Sequence, residues 1–158
     1  MQIIKNRKIV EDSWLHVADD EPIADGTDAL ISWDRWSKER EDLTSHSGRI
    51  GVCLPNTIDP EDLRGDLDRF AMVAIDFPIY RDGRAFSIAR VLRRLGYGGE
   101  IRAVGNVLRD QIYFMERCGF DAYELQDGKS LESALEGFGE FSVTYQDAID
   151  ARSKPRGA

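Results

Sequence analysis

Residues that hold metals or form disulfides are scarce in this sequence. Its 158 residues include two cysteines, Cys53 and Cys118, and two histidines, His16 and His46. The cysteines lie far apart and form no CxxC motif, and the histidines are isolated. A structural zinc site, an iron–sulfur centre and a disulfide framework are therefore not expected. We predict that the protein binds no metal.

Long apolar stretches are also missing. No segment approaches the ~20 apolar residues that are needed to span a bilayer. The N-terminal residues lack the apolar core and the small-residue cleavage site of a secretory signal. These absences predict a cytoplasmic protein without a membrane partner.

Positive charge is unevenly distributed along the chain. The net charge is −8, which argues against nucleic acid as a partner, because phosphate contacts need a basic surface. Residues 1–70 hold 16 acidic and 9 basic side chains, whereas residues 71–125 hold 7 acidic and 8 basic ones. All 8 of those cations are arginines, whose planar guanidinium groups bind carboxylates and oxyanions with defined geometry. A solvated, arginine-rich helix face is the simpler alternative.

From Arg49 onward, apolar runs alternate with amphipathic segments. The pattern predicts strands over residues 49–54, 71–77, 100–104 and 120–125, and helices over residues 60–70, 84–95, 107–118 and 130–138. Strands separated by such helices form βαβ units with parallel pairing. We predict an α/β fold with about four parallel strands and alternating helices, as an open sheet or a half-barrel that resembles a fragment of a TIM barrel.

The residues before Arg49 are less regular. They predict one or two short edge strands in the first 17 residues, a short strand over residues 29–31 and a helix over residues 33–43. We predict one α/β domain over residues 1–150, with N-terminal edge strands and a helix in residues 1–45 and a βαβ core in residues 49–125. Residues 151–158 are predicted to be a disordered tail.

The predicted strands place polar residues at one edge of the sheet. In parallel sheets, ligands bind beyond the carboxyl ends of the strands. Three of the predicted strands end at Pro55-Asn56, Asp76-Phe77 and Gly105-Asn106. Asp76 and the nearby Asp82 are candidate catalytic acids or bases. Arg84 and the helix N-terminus after Asn106 are candidates for binding an anionic small molecule.

Each of these residues also has a structural explanation. Asp76 could accept hydrogen bonds from loop N–H groups or pair with a nearby arginine. Asp82 fits the first position of an Asp-Gly turn, and Asn106 fits a helix cap. Arg102 lies inside a predicted strand, where a buried arginine requires a partner, and Glu124 on the neighbouring strand is the candidate.

Motifs for common cofactors and nucleophiles are absent. No GxGxxG follows a predicted strand, and the sequence contains neither a P-loop nor GxSxG. We therefore predict no resident cofactor. Whether the chain is an enzyme stays open.

The middle of the chain contains a dense series of short motifs. They include IDFP from Ile75, RDGRAFS from Arg81, GEIRAVGNV from Gly99 and RCGFD from Arg117. These motifs resemble a bacterial family, domain of unknown function 934, over roughly residues 45–150. Its members are commonly labelled as oxidoreductases involved in sulfite reduction, a label that rests on the neighbouring gene for the sulfite reductase haemoprotein. Asn106 departs from the pattern, since an aspartate is expected there.

The resemblance implies a role in assimilatory sulfur metabolism. Its candidate partners are the sulfite reductase haemoprotein and a small oxyanion such as sulfite. Carried over onto this sequence, it marks as functional Asp82, Arg84, Arg90, Arg102, Asn106, Asp110, Gln111 and Arg117.

Three hypotheses follow. The leading one is a non-catalytic accessory protein that assists sulfite reduction by docking on the reductase or by holding an anionic intermediate. The second is a small-molecule enzyme on a half-barrel scaffold, with Asp76 or Asp82 as acid or base and arginines as anion clamps. The third is structural: Asp82, Arg84 and Arg102 form a buried ion-pair network that fixes the fold. The sequence leaves homo-oligomerisation open.

Overall fold

Eight strands form one sheet in the computed structural model, which describes residues 1–78, 83–126 and 129–138. The strands are β1 Gln2–Lys5, β2 Lys8–Glu11, β3 Leu15–His16, β4 Ala29–Ser32, β5 Ile50–Leu54, β6 Met72–Phe77, β7 Glu100–Gly105 and β8 Ala122–Tyr123. The helices are α1 Trp33–Thr44, α2 Arg84–Arg94, α3 Arg109–Cys118 and α4 over residues 131–138. No helix among these residues is long and apolar enough to cross a bilayer. The predicted tail and Asp82 lie outside the described residues.

The sheet is mostly parallel, as predicted. Its order is β2-β1-β8-β7-β6-β5-β4-β3, and every neighbouring pair from β8 to β3 is parallel. Only β1 runs antiparallel to its two neighbours. The α/β class is therefore confirmed, but the parallel array has six strands rather than about four. The two extra strands are β3, which no helix follows, and β4, which the sequence predicted as a short strand over residues 29–31 but not as part of the βαβ core.

The sheet is open and strongly curled. Its edge strands β2 and β3 are consecutive in the chain, and only residues 12–14 separate them. A link of this length spans at most about 14 Å, whereas eight flat strands would place the edges about 34 Å apart. The sheet must therefore roll into a half-barrel, which agrees with the prediction.

The two faces of the sheet differ in what covers them. On β6, Val73, Ile75 and Phe77 belong to the main apolar core, into which the helices also pack. Met72 and Ala74 point to the opposite face, where they pack with Trp14. On this second face, His16 of β3 contacts Glu124, the residue after β8, across the sheet. We call this second face the concave face.

Two local predictions are wrong. Residues 60–70 form two 3₁₀ turns, Pro60–Leu63 and Leu67–Arg69, instead of one helix; Gly65, a poor helix former, lies between them. Asn106 does not cap α3, which has Leu108 at its N-cap. The backbone N–H of Asn106 instead donates to the carbonyl of Phe77 at 2.8 Å, and this contact holds it beside the end of β6.

Candidate functional site

The predicted site residues that the structure describes fall into three places in the fold. Asp76, Asn106 and the first turns of two helices lie at the carboxyl ends of the strands. Arg102 lies inside the curled sheet, on its concave face. Arg90 and Arg117 are exposed on the outer surface of α2 and α3.

The carboxyl-end site is built around Asp76. This residue is the fifth of β6, lies on the concave face and is half-buried. Gly105 of the neighbouring strand has φ +88°, and a Cβ added there would lie 2.6 Å from Asp76 Oδ1 and 2.9 Å from the carbonyl oxygen of Phe77. The carboxylate therefore lies directly against the glycine backbone, in space that a larger residue would fill.

Burial controls the chemistry of this site. It raises the pKa of Asp76, and within the described part of the chain no cation forms an ion pair with this carboxylate. On the neighbouring strand, burial and then the negative charge of Asp76 raise the pKa of Cys53 to about 11. The thiol is therefore protonated at neutral pH and is a poor nucleophile. A half-buried carboxyl with a raised pKa is typical of a group that exchanges a proton.

Arg84 begins α2 and is exposed at the same end of the sheet. It lines a cleft of about 380 Å³ between α2 and the segment after β5, together with Arg94, Asp59 and Glu61. Ile88 contributes apolar surface to the cleft. The cleft thus combines two cations, two carboxylates and an apolar wall.

Asp110 and Gln111 lie in the first turn of α3. Asp110 is exposed, and it lines a second cleft of about 380 Å³ with Arg109, Lys129 and Ser130. Ser130 caps α4, because its hydroxyl accepts from the backbone N–H of Ser133 at 3.0 Å. The N-termini of α3 and α4 therefore meet around this cleft.

Arg102 is the centre of a charged cluster on the concave face. Its Nη1 and Nη2 contact the two oxygens of Asp12 at 2.8 and 2.9 Å. Its Nε donates to Glu100 at 2.9 Å, and its Nη1 also lies 3.2 Å from Glu124. The side chain of Arg102 is 1% exposed. Lys5 extends the cluster through a 2.9 Å contact with Glu100. We call these five residues the interior ion cluster.

The pKa shifts show how strongly this cluster is coupled. Burial alone would raise the pKa of Asp12, but the hydrogen bonds and charge of Arg102 outweigh burial and lower that pKa. For Glu124, burial is likewise outweighed, first by His16 and then by Arg102, so its pKa is also lowered. His16 Nε2 lies 2.9 Å from Glu124 Oε1, and this contact raises the pKa of His16. Because His16 is on β3, the contact joins the two sides of the half-barrel.

This geometry bears on two predictions. Glu124 is a partner of Arg102, as expected from the sequence. Arg102 contacts three carboxylates, as a buried ion-pair network requires, but Arg84, which the structural alternative placed in the same network, lies in the cleft beside α2. A role of Arg102 in binding a ligand stays a prediction.

The third place is the outer surface of α2 and α3. The guanidinium of Arg90 lies 5.5 Å from the ring centroid of Phe114, and that of Arg117 lies 5.9 Å from that of Tyr113. Phe114 is 47% exposed. We call Arg90, Phe114 and Arg117 the helix-face patch.

Several residues of these places were missed by sequence reasoning. Glu100 could have been predicted as a partner of Arg102, since it lies two positions before Arg102 and so shares a face of the same strand. Asp12 had no local signal, because it is 90 residues from its partner. Within the described residues, no group of three or more His, Cys, Asp or Glu side chains is arranged to hold a metal ion.

Comparison with known proteins places the chain in a family. A family model described as "Bacterial protein of unknown function (DUF934)" matches residues 51–155. The chain belongs to this family. The match includes most of β5, all of β6 to β8 and all nine predicted site residues, from Asp76 to Arg117. No curated protein and no solved structure matches the chain significantly.

Proposed function

We propose that this protein is a non-catalytic accessory factor in assimilatory sulfite reduction. It acts by docking on the sulfite reductase haemoprotein or by holding an oxyanion intermediate for it. The proposal draws its pathway from the resemblance that the sequence motifs show, and its non-catalytic character from the lack of cofactor motifs in the sequence.

The interior ion cluster limits where this protein can meet a partner. Barrels of parallel strands have an interior packed with side chains and bind ligands at the carboxyl ends of the strands; in this half-barrel the interior is the concave face. Here Arg102, Asp12 and Glu100 fill that face, with side chains 1%, 3% and 8% exposed. Met72 and Ala74 are 0% exposed beside them. Partners therefore have access to the rim and the outer surface, but not to the interior.

A binding experiment with the purified protein and purified sulfite reductase haemoprotein tests whether the protein docks on the reductase. We expect the protein to bind the reductase in isothermal titration and to change its rate of sulfite reduction or its cofactor loading. If it neither binds the reductase nor changes its activity or maturation, the proposal that it docks on the reductase is wrong.

A thermal-shift screen tests whether the protein binds an oxyanion. A ligand that binds only the native state raises the melting temperature, so sulfite or sulfate should raise it while chloride at equal ionic strength should not. Arg84→Ala should remove the shift, whereas Arg64→Ala, which changes an exposed arginine outside the clefts described above, should keep it. If sulfite, sulfate and phosphate all leave the melting temperature unchanged, the proposal that the protein holds an oxyanion is wrong.

A second candidate function is catalysis at the rim, with Asp76 or Asp82 as acid or base. The observation that favours it is the half-buried Asp76 carboxyl with its raised pKa. The Asp76→Asn variant keeps the shape of the side chain but cannot take up a proton. If an anionic ligand is turned over, this variant should bind it with loss of turnover and an unchanged melting temperature. Loss of folding in Asp76→Asn and Asp82→Asn would instead indicate structural roles.

A further inference from the structure

Phe114 is an exposed aromatic side chain that is held firmly in place. Its ring packs edge-on against Phe86, with 5.0 Å between the ring centroids. Phe86 packs in the same way against Phe77 at 5.2 Å, and Phe77 lies 5.5 Å from Phe120 in the core. A continuous row of four rings therefore joins the core to the surface. An aromatic anchor that is already ordered loses little conformational entropy on binding.

Arg90 is fixed beside this ring. Its guanidinium lies 5.5 Å from the centroid of Phe114, and its positive charge acts to lower the pKa of the nearby Cys118 thiol, against the larger effect of burial. Arg90 is nevertheless exposed. The patch thus presents a flat apolar ring and a positive charge side by side, both in defined positions.

The surroundings of the patch are basic. The exposed charged residues of α2 and α3 are Arg84, Arg90, Arg94, Arg117 and Asp110. Four arginines against one aspartate give this surface a balance of +3, although the whole chain has a net charge of −8. Aromatic residues and arginine are enriched at the centres of protein interfaces, where they supply most of the binding energy.

We propose that the helix-face patch is the surface that docks on the partner, and that it binds an acidic protein surface. Phe114 enters an apolar pocket of the partner, and Arg90 and Arg117 face carboxylates at the edge of that pocket. The inference rests on the proposed function, which makes the sulfite reductase haemoprotein the partner. Two copies of this chain meeting through the same face would place arginines against arginines, so charge complementarity favours a different, acidic partner.

The test compares the affinities of patch variants and matched controls for the purified reductase haemoprotein. Phe114→Ala and Arg90→Glu should each weaken binding at least tenfold, which is roughly the effect of losing an interface anchor. Leu15→Ala removes an apolar side chain that is 57% exposed on β3. Arg64→Glu reverses a charge on a side chain that is 66% exposed. Both controls should keep the wild-type affinity within about twofold, as expected for contacts outside an interface.

Three outcomes would overturn the proposal, and they are distinguishable. If the wild type binds the reductase and the patch variants bind equally well, the docking surface is wrong while the proposed function survives. If the wild type does not bind the reductase at all, the docking part of the proposed function fails and this inference fails with it. If the wild type self-associates and Phe114→Ala abolishes that association, the patch joins copies of this chain instead. Melting temperatures are measured for every variant, and affinities are compared at a temperature at which all of them are folded.

Discussion

Replacement of Arg102 by methionine should destabilise the protein strongly. Methionine has a similar length but no charge, so Asp12, Glu100 and Glu124 would lose their shared partner. Removing one member of a buried ion pair costs about 3–5 kcal/mol, because the remaining charges stay buried. A domain of this size has a free energy of unfolding of about 5–15 kcal/mol in total. The variant should therefore lose a large fraction of its stability.

The loss should also depend on pH. In the wild type, the pKa values of Asp12 and Glu124 are lowered. Their stabilising contribution is therefore present above about pH 4–4.5 and disappears as the pH falls through the folded-state pKa values. Without Arg102, burial dominates for Asp12 and raises its pKa, and the folded variant then binds more protons than the unfolded chain. The difference between the two proteins should be larger at pH 7.5 than at pH 5, by about 1.4 kcal/mol for each unit of pKa change.

Urea unfolding followed by tryptophan fluorescence measures both effects at the two pH values. Arg94→Met is the matched control, because Arg94 is exposed on α2, and it should change stability by no more than about 0.5 kcal/mol. Equal urea midpoints for Arg102→Met and the wild type would refute the reasoning. So would a loss of the same size at pH 5 and pH 7.5, since uncompensated carboxylates must respond to protons.

Three further predictions follow from single contacts. His16→Gln should lower the free energy of unfolding by up to about 1 kcal/mol near pH 5.5 and by little at pH 8.5. The pKa of His16 is raised, so its stabilising positive charge is lost as the pH rises through that pKa. Urea midpoints that differ from wild type equally at both pH values would contradict this. Gly105→Ala should lower the free energy of unfolding by about 1–3 kcal/mol, because φ at this residue is +88° and the new Cβ would meet Asp76. Gly98→Ala is the control: a Cβ at residue 98 would lie in open space, and the free energy of unfolding should change by no more than about 0.5 kcal/mol. Cys53 should react with iodoacetamide only slowly at pH 8, since burial raises its pKa to about 11; rapid alkylation of the native protein at this residue would show that the site is open.

The sequence predicted the regular part of the fold because the signals there are local. From β5 onward, each apolar run is followed by a turn and, after β6 and β7, by an amphipathic helix, so period and length were sufficient. Gly119 at the end of α3 is a similar local signal, and it adopts φ +118° as expected for a helix C-cap. The two 3₁₀ turns after β5 could not be told from a helix by apolar spacing alone, since Leu63 and Leu67 are buried in either conformation.

The N-terminal strands were harder to place because their positions depend on the curl of the sheet. β3 has two residues, Leu15 and His16, and both are exposed, so it has no hydrophobic pattern. Its place beside β4 is set by backbone pairing, at Leu15 with Ala29 and at His16 with Leu30. No rule of local sequence connects it to β8, at the far side of the concave face.

The candidate site divides along the same line. Parallel strand ends meet at one edge, so the closeness of Asp76 and Asn106 could be derived from topology. A charge inside a strand needs a partner, so Glu124 could be named as a neighbour of Arg102. Asp12 could not, because its contact requires the chain to pass from one edge of the sheet to the other.

The interior ion cluster explains how so short a set of strands holds its curvature. Apolar side chains would fill the concave face without fixing how far the sheet closes, since apolar contact is not directional. The bidentate contact between Arg102 and Asp12 and the contact between His16 and Glu124 have defined geometry. Together they join the middle of the sheet to the segments at both edges. A half-barrel fixed in this way has a filled interior, so a binding partner meets it at the rim or on the helices, where the exposed Phe114 of α3 lies beside Arg90 of α2.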